Sequence, residues 1–585
     1  MGEFGHLLWT SRPREPVVAW RHGSDSGSGF DVRRDAPRDT GRAVKRGPVA
    51  AAGGVAVVGA AVLAVGLWPG GDGDGSAKAT PPDGPSAPSS ASPTKSYALS
   101  RAPATIPAVR EHTAARGPGW RPAEGKGRVV VRDDGLADEA RLLAGELKLK
   151  YGGDARPGKG DVELALTDGK DGGADDKDGG ADGKDGGAES YRLTVKDERV
   201  RIAAPAEAGV FYGTRTLKQE VSGGKAAPEG EVRDRPAKPQ RGFMIDIARK
   251  HFDAEWIEDR IRELGDLKYN QLGLHFSDDQ AFRIASDSHP EIVSSDHLTK
   301  DQVRSLVKLA ESRHITVVPE IDSPGHLGAV IKQHPSLQLR DARGVATRGA
   351  VDISRPEAAR IVDDLLKEYA ELFPGGFWHL GADEYQALTV KDPQSSYPQL
   401  AAAARERYGA DGRVQDLATG WLNDRASTVR PYDKKLKAWN DGFFEGGSAD
   451  AADDLEVAYW TGKEIGARDP VAYLKAGRKL TNYNDEYLYY VLGQPNDFRY
   501  PTGQRIYESW TPLVVRGTKP VSERYDDQIL GGTFAVWGDL AGAQTQEQVA
   551  AGIRMPLRAT AQKLWDSRKP ALAWNDFVKL ADTVR

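Results

Sequence analysis

A chain of 585 residues is too long for one hydrophobic core, so two or more folded units joined by linkers are expected. A net charge of −5 gives no electrostatic footprint for nucleic acid. The absence of cysteine excludes disulfides, thiolate nucleophiles and Cys-ligated metals, while leaving export open.

Residues 1–47 are rich in Arg, Asp and Gly, have little to bury, and are expected to be disordered. The segment 48–69 contains an uncharged run, Val49 to Trp68, just long enough to span a bilayer. Arg42, Lys45 and Arg46 precede it, and Asp72 and Asp74 follow. The positive-inside bias therefore predicts a cytoplasmic amino end and an extracellular remainder. The run reads either as a cleaved signal, with Ala77-Lys78-Ala79 as the small-x-small site, or as a retained single membrane-spanning anchor. A Pro/Ser/Gly-rich linker covers 70–100.

A small α+β domain is expected over 101–237. Its strands fall at 128–132, 162–167, 191–195 and from Arg201, with helices at 136–149 and 209–220. Within it, the insert 168–189 repeats Asp-Gly-Lys-Asp-Gly-Gly-Ala. It lacks the apolar positions and closing Glu of a calcium loop, so a disordered surface hairpin is predicted.

From 238 to 585 the rhythm becomes apolar strand, polar turn, amphipathic helix. Strands are predicted at 242–247, 270–276, 315–321, 377–380, 436–439, 455–460, 480–483 and 532–537, with helices at 254–267, 300–313, 356–373 and 545–565. Eight strands alternating with helices predict an α/β fold, a (β/α)8 TIM-type barrel. A doubly wound sheet is disfavoured because no Gly-rich phosphate loop follows any strand. Asp246 with Arg249, Asp278 with Asp279, Glu320 with Asp322, Asp383 with Glu384, Trp439 with Asp441 and Trp537 with Asp539 all fall at or just past strand ends. A barrel assembles its active site there.

The adjacent carboxylates Asp383 and Glu384 carry the chemistry. One carboxylate can hold charge while its neighbour stays protonated, which suits acid-assisted glycosidic cleavage. Eight of the eleven histidines lie between 251 and 379, but no His-Glu-x-x-His spacing occurs, so no metal and no cofactor are expected.

Five ordered motifs sharpen this: Arg241-Gly-Phe-Met-Ile-Asp-Ile, His275-Phe-Ser-Asp-Asp-Gln-Ala-Phe-Arg, Pro319-Glu-Ile-Asp-Ser-Pro-Gly-His326, His379-Leu-Gly-Ala-Asp-Glu384 and Trp537-Gly-Asp. Together they resemble glycoside hydrolase family twenty, the β-N-acetylhexosaminidases and their relatives. The resemblance implies exo-acting, retaining removal of terminal β-linked N-acetylhexosamine from glycans or chito-oligosaccharides, with the substrate's own acetamido oxygen as nucleophile. It implies Glu384 as general acid then base, its pKa raised by an ionised Asp383, and Asp383 as holder of the acetamido N–H. Arg241 would clamp sugar hydroxyls, Asp279 and His326 would be pocket polar groups, and Trp439, Trp460 and Trp537 aromatic walls. Tyr487 would donate its hydroxyl to the acetamido carbonyl.

Departures from the family pattern at Tyr489 and Asp539, positions that normally help read the O4 and O6 hydroxyls, put the sugar preference in question. Asn482-Tyr-Asn-Asp-Glu-Tyr-Leu-Tyr-Tyr490 looks more like the branch holding lacto-N-biosidases. A silent surface carbohydrate-binding protein is the remaining rival, which would not need both carboxylates. The expected partner is a glycan, the expected assembly a monomer or homodimer, and the expected location extracellular, secreted or anchored.

Overall fold

A computed structural model describes residues 96–167, 187–464 and 467–584. The expected N-terminal extension, the signal or anchor at 48–69, and the part of the insert over 168–186 lie outside the described residues. Among the described residues no helix is long and apolar enough to cross a membrane.

Seven strands form the first sheet: β1 (Glu111–Ala114), β2 (Arg128–Val131), β3 (Lys150–Tyr151), β4 (Val162–Leu166), β5 (Tyr191–Lys196), β6 (Arg199–Ala204) and β7 (Gly230–Asp234), in the order β1-β7-β5-β6-β4-β2-β3. Period-two patterning explains the middle of it. Tyr191, Leu193 and Val195 are buried while Arg192 and Thr194 are only half-buried. Helices Ala137–Leu147 and Glu207–Glu220 pack on this sheet. The unexpected strands β1, β3 and β7 are short and largely polar, so none of the three carries a hydrophobic period.

The remaining strands are β8 (Gln240–Asp246), β9 (Gln271–His275), β10 (Thr316–Glu320), a hairpin of β11 (Gln338–Arg340) and β12 (Ala346–Val351), β13 (Phe377–His379), β14 (Lys435–Trp439), β15 (Glu456–Tyr459), β16 (Leu480–Asn482), β17 (Tyr489–Val491) and β18 (Ile529–Trp537). Strands β8, β9, β10, β13, β14, β15, β16 and β18 pair in parallel, and β18 pairs back to β8, closing an eight-stranded barrel. All eight expected strands are present. The near-continuous apolar runs that announced them are what burial on both faces demands.

Capping explains the helix starts. Asp253 accepts from the Trp256 N–H ahead of Ala254–Asp266, and Thr299 with Gln302 and Thr545 with Gln548 form capping boxes ahead of Lys300–Glu311 and Gln546–Trp565.

One irregularity positions the site. Two short strands lie in turn along β18: β16 pairs with its first residues, Leu480 opposite Ile529, and β17 with its last, Tyr489 opposite Ala535. The chain between them bends away, and Tyr489 enters the carboxyl-terminal mouth of the barrel.

Candidate active site

After β13 the backbone crimps, with positive φ at Gly381 (69°), Ala382 (81°) and Glu384 (47°). Alternate strand residues point to opposite faces, so this crimp is what lets consecutive Asp383 and Glu384 line one cavity. A Cβ at Gly381 would overlap the Asp322 carboxylate. Ala382 adopts the left-handed conformation at a cost of about 1–2 kcal/mol, held there by donating its N–H to Asp322 Oδ1 at 2.8 Å.

The cavity measures about 430 Å³, and Trp460, Tyr489 and Trp537 form its aromatic walls. The Trp460 and Tyr489 rings lie 5.9 Å apart and nearly parallel, and Trp537 is 5.6 Å from Tyr489. Asp441 ties wall to acid: Oδ1 accepts from Trp460 Nε1 and Oδ2 from the Glu384 N–H, both at 2.9 Å. Arg249 and Asp539 also line the cavity, together with Lys463, Glu464, Asp485, Asp497, Arg499 and Arg505.

Beneath the carboxylates runs a buried charge relay. His326 Nε2 lies 3.5 Å from Glu384, 3.8 Å from Asp383 and 3.9 Å from Asp322. Its Nδ1 is 3.3 Å from Asp278, which also pairs with Arg249 at 2.8 Å and meets His275 Nε2 at 2.9 Å. His275 Nδ1 in turn sits 2.9 Å from Glu320, which accepts from Trp439 Nε1 at 2.7 Å.

Burial would lower the His326 pKa, but Asp278, Asp383 and Asp322 together hold it well above the usual imidazole range, so the ring is cationic. Asp278 resists burial through His326 and Arg249 and stays well below the usual carboxylate range. His275, opposed by burial but flanked by Glu320 and Asp278, is pushed up to about 10. Burial and then the Asp322 charge push Asp383 well up, and burial lifts Asp322 to about 7. Glu384 goes the other way, lowered first by the His326 imidazole 3.5 Å away. The expected order is thus reversed in direction: Asp383 is the carboxyl pushed up and Glu384 the one pushed down. The cationic imidazole outweighs the neighbouring carboxylate as a determinant of Glu384.

The structure brings together Asp383, Glu384, His326, Trp460, Trp537 and Asp539. Trp439 is fully buried, 5.9 Å from Trp537 and 4.9 Å from Tyr483, and supports the cavity rather than lining it. Three further expectations need correction. Arg241 sits at the amino end of β8, the wrong end of the barrel for sugar. There it pairs with Glu189 at 2.7 Å and donates to Tyr212 at 3.1 Å, so the last residues of the expected insert are ordered against it. The mouth arginine is Arg249, paired with Asp246 at 3.0 Å and 5.4 Å above the Trp537 ring. Its place just past the end of β8 was the available signal. Asp279 turns outward, accepting from the Gly328 N–H at 3.0 Å and pairing with Arg348 at 3.4 Å, while Asp278 takes the inward place. Tyr487 lies under the Arg505 guanidinium at 4.1 Å and outside the cavity lining; the phenol on the wall, close enough to Asp383 to feel its charge, is Tyr489.

Asp322, His326 and Asp383 place ligand-type atoms within 4.8 Å of one another.

The family model for glycosyl hydrolase family 20, catalytic domain, matches residues 239–568, and that for domain 2 of the same family matches 102–235. The chain is 29% identical over 482 residues to a lacto-N-biosidase of Bifidobacterium bifidum, covering 81% of this chain and 41% of that protein. It is 30% identical over 311 residues to a beta-N-acetylhexosaminidase of Cellulomonas fimi, covering 50% and 56% respectively. The chain thus spans about half the length of the curated relatives it matches. Among solved structures, an exo beta-N-acetylglucosaminidase of Vibrio harveyi superposes with a TM-score of 0.66 at 21% identity, over 84% of this chain and 79% of that one. A beta-hexosaminidase of Streptomyces plicatus gives 0.64 at 22%, over 83% and 95%. At those identities the likeness speaks for the fold.

Proposed function

The chain belongs to glycosyl hydrolase family 20, and from that membership and its pocket we propose that it is an exo-acting retaining β-N-acetylhexosaminidase working by substrate assistance. The observation that carries this is the convergence of Asp383 and Glu384 on one aromatic-walled cavity. The terminal sugar enters with its acetamido group against Trp460, Tyr489 and Trp537, whose flat apolar faces suit a methyl and a pyranose ring. The Tyr489 hydroxyl steers the acetamido oxygen onto the anomeric carbon. That oxygen forms the new bond as the glycosidic bond breaks, and Glu384 delivers a proton to the departing oxygen. Water then attacks the oxazolinium-like intermediate, giving its proton back to Glu384 and re-forming the acetamide.

Proton placement is the part this pocket does in its own way. Accepting the acetamido N–H favours an ionised Asp383, so a proton held on its raised carboxyl must leave. His326 lies within 3.9 Å of Asp383, Asp322 and Glu384 and is the natural conduit to Glu384. Binding of substrate thereby arms the acid.

A second reading is a lacto-N-biosidase that releases a disaccharide. The alignment over 81% of the chain favours it, as do polar groups at Asp485, Asp497, Arg499 and Arg505 that a single sugar does not need. Chromophore release from aryl β-N-acetylglucosaminide beside aryl β-lacto-N-bioside decides between them. Activity on the monosaccharide supports the first, activity on the disaccharide alone the second, and silence on both overturns both.

A further inference from the structure

Outside the sugar pocket, two histidines and a glutamate converge where the connections after β9 and β10 meet. His289 and Glu291 belong to the first; His334 ends the helix Gly328–Gln333 of the second. His289 Nδ1 is 3.1 Å and His334 Nε2 2.9 Å from the same Glu291 Oε1. All three atoms lie within 4.8 Å of one another. Four-coordinate zinc, with bonds of about 2.0–2.1 Å, sets its ligand atoms about 3.3 Å apart, so these side chains need only small rotations to close on an ion. His289 presents its other nitrogen, Nε2, to the Asp364 carboxylate at 3.6 Å. A carboxylate behind the far nitrogen is how ligating imidazoles are oriented and kept basic.

We propose that His289, Glu291 and His334 bind a divalent first-row transition cation of the zinc type, with water completing the coordination and Asp364 orienting His289. Two imidazoles with one carboxylate match that class of ion rather than calcium or magnesium. His334 and His289 keep only 27% and 15% of their side-chain surface exposed, enough for an ion to enter. The ion would staple together the two connections that deliver Asp278 and His326 to the pocket.

The test uses the untagged full chain, stripped with chelator and titrated calorimetrically with Zn2+, with Co2+ absorbance as the probe of tetrahedral geometry. One tight equivalent per chain is expected, accompanied by a rise in Tm. His289→Gln and His334→Gln should each weaken it by at least about 100-fold, above what losing an orienting partner costs. Asp383→Asn should leave it intact, separating this site from Asp322, His326 and Asp383. No tight binding in the wild type, or binding that survives His334→Gln, would overturn the proposal.

Discussion

Replacing His326 with Gln removes the one cation that Asp278, Asp322, Asp383 and Glu384 share. At 3.5 Å and an effective dielectric of about 20, a unit charge acts on Glu384 with about 5 kcal/mol. The Glu384 side chain is 39% exposed, so water screens much of this, and about 1–2 kcal/mol is a fair net figure. That corresponds to roughly one pKa unit. The sign follows from the charge: losing a cation disfavours the carboxylate, so Glu384 titrates higher. Glu384 must be protonated to act first as acid, and the basic limb of kcat/KM reports loss of the one proton that Asp383 and Glu384, both raised by losing this cation, hold between them in the free enzyme. In His326→Gln that limb should move up by about one pH unit on aryl β-N-acetylglucosaminide, whatever happens to the height of the profile. A limb at the wild-type position, or lower, with an unchanged circular dichroism spectrum, would refute the assigned coupling.

Glu384→Gln and Asp383→Asn should each lower kcat by at least about 100-fold while the far-ultraviolet spectrum stays unchanged, the usual scale for losing a positioned proton-transfer group. Arg241→Ala should lower stability by about 3–5 kcal/mol, because Glu189 and Tyr212 lose a buried partner, yet leave KM within a factor of about two once folded; a large KM rise at unchanged Tm would restore the sugar-clamp role. Gly381→Ala should abolish turnover, since its Cβ displaces Asp322 and unseats the crimp, and a fully active variant would show that the crimp is dispensable. Asp322 titrates near 7 when folded, above its unfolded value of about 4. Its contribution to stability is therefore complete below about pH 4 and lost as pH rises through 7, at up to about 1.4 kcal/mol per pH unit. Unfolding titrations of Asp322→Asn between pH 4 and 7.5 should lack that part of the slope; parallel wild-type and variant curves would contradict it.

The barrel could be read from the chain because its strands are apolar runs with charged ends. Each of those ends, from Asp246 to Asp539, marks where a strand leaves the packed interior for the polar mouth. The aromatic walls at Trp460 and Trp537 were legible on the same ground. Errors arose where position along a strand mattered more than residue type. Arg241 and Arg249 flank one strand, and only the rule that barrels work at their carboxyl ends separates a salt bridge from a site residue. Tyr487 and Tyr489 are two residues apart, and the break between β16 and β17, invisible in hydrophobic period, decides which one faces sugar. The proton order at Asp383 and Glu384 was beyond sequence, because it depends on His326, 57 to 58 positions away along the chain.

The measurement that bears most directly on the substrate-assisted reading is a series of aryl β-glucosaminides whose acetyl group carries none, one, two or three fluorines. Each fluorine weakens the amide oxygen as a nucleophile while leaving the leaving group and the Glu384 proton transfer unchanged. A steep, progressive fall in kcat across the series is the result the account predicts. Rates independent of fluorination, or equal turnover of the matching 2-hydroxy glucoside, would mean that the acetamido group is not the nucleophile and that Asp383 and Glu384 work some other way.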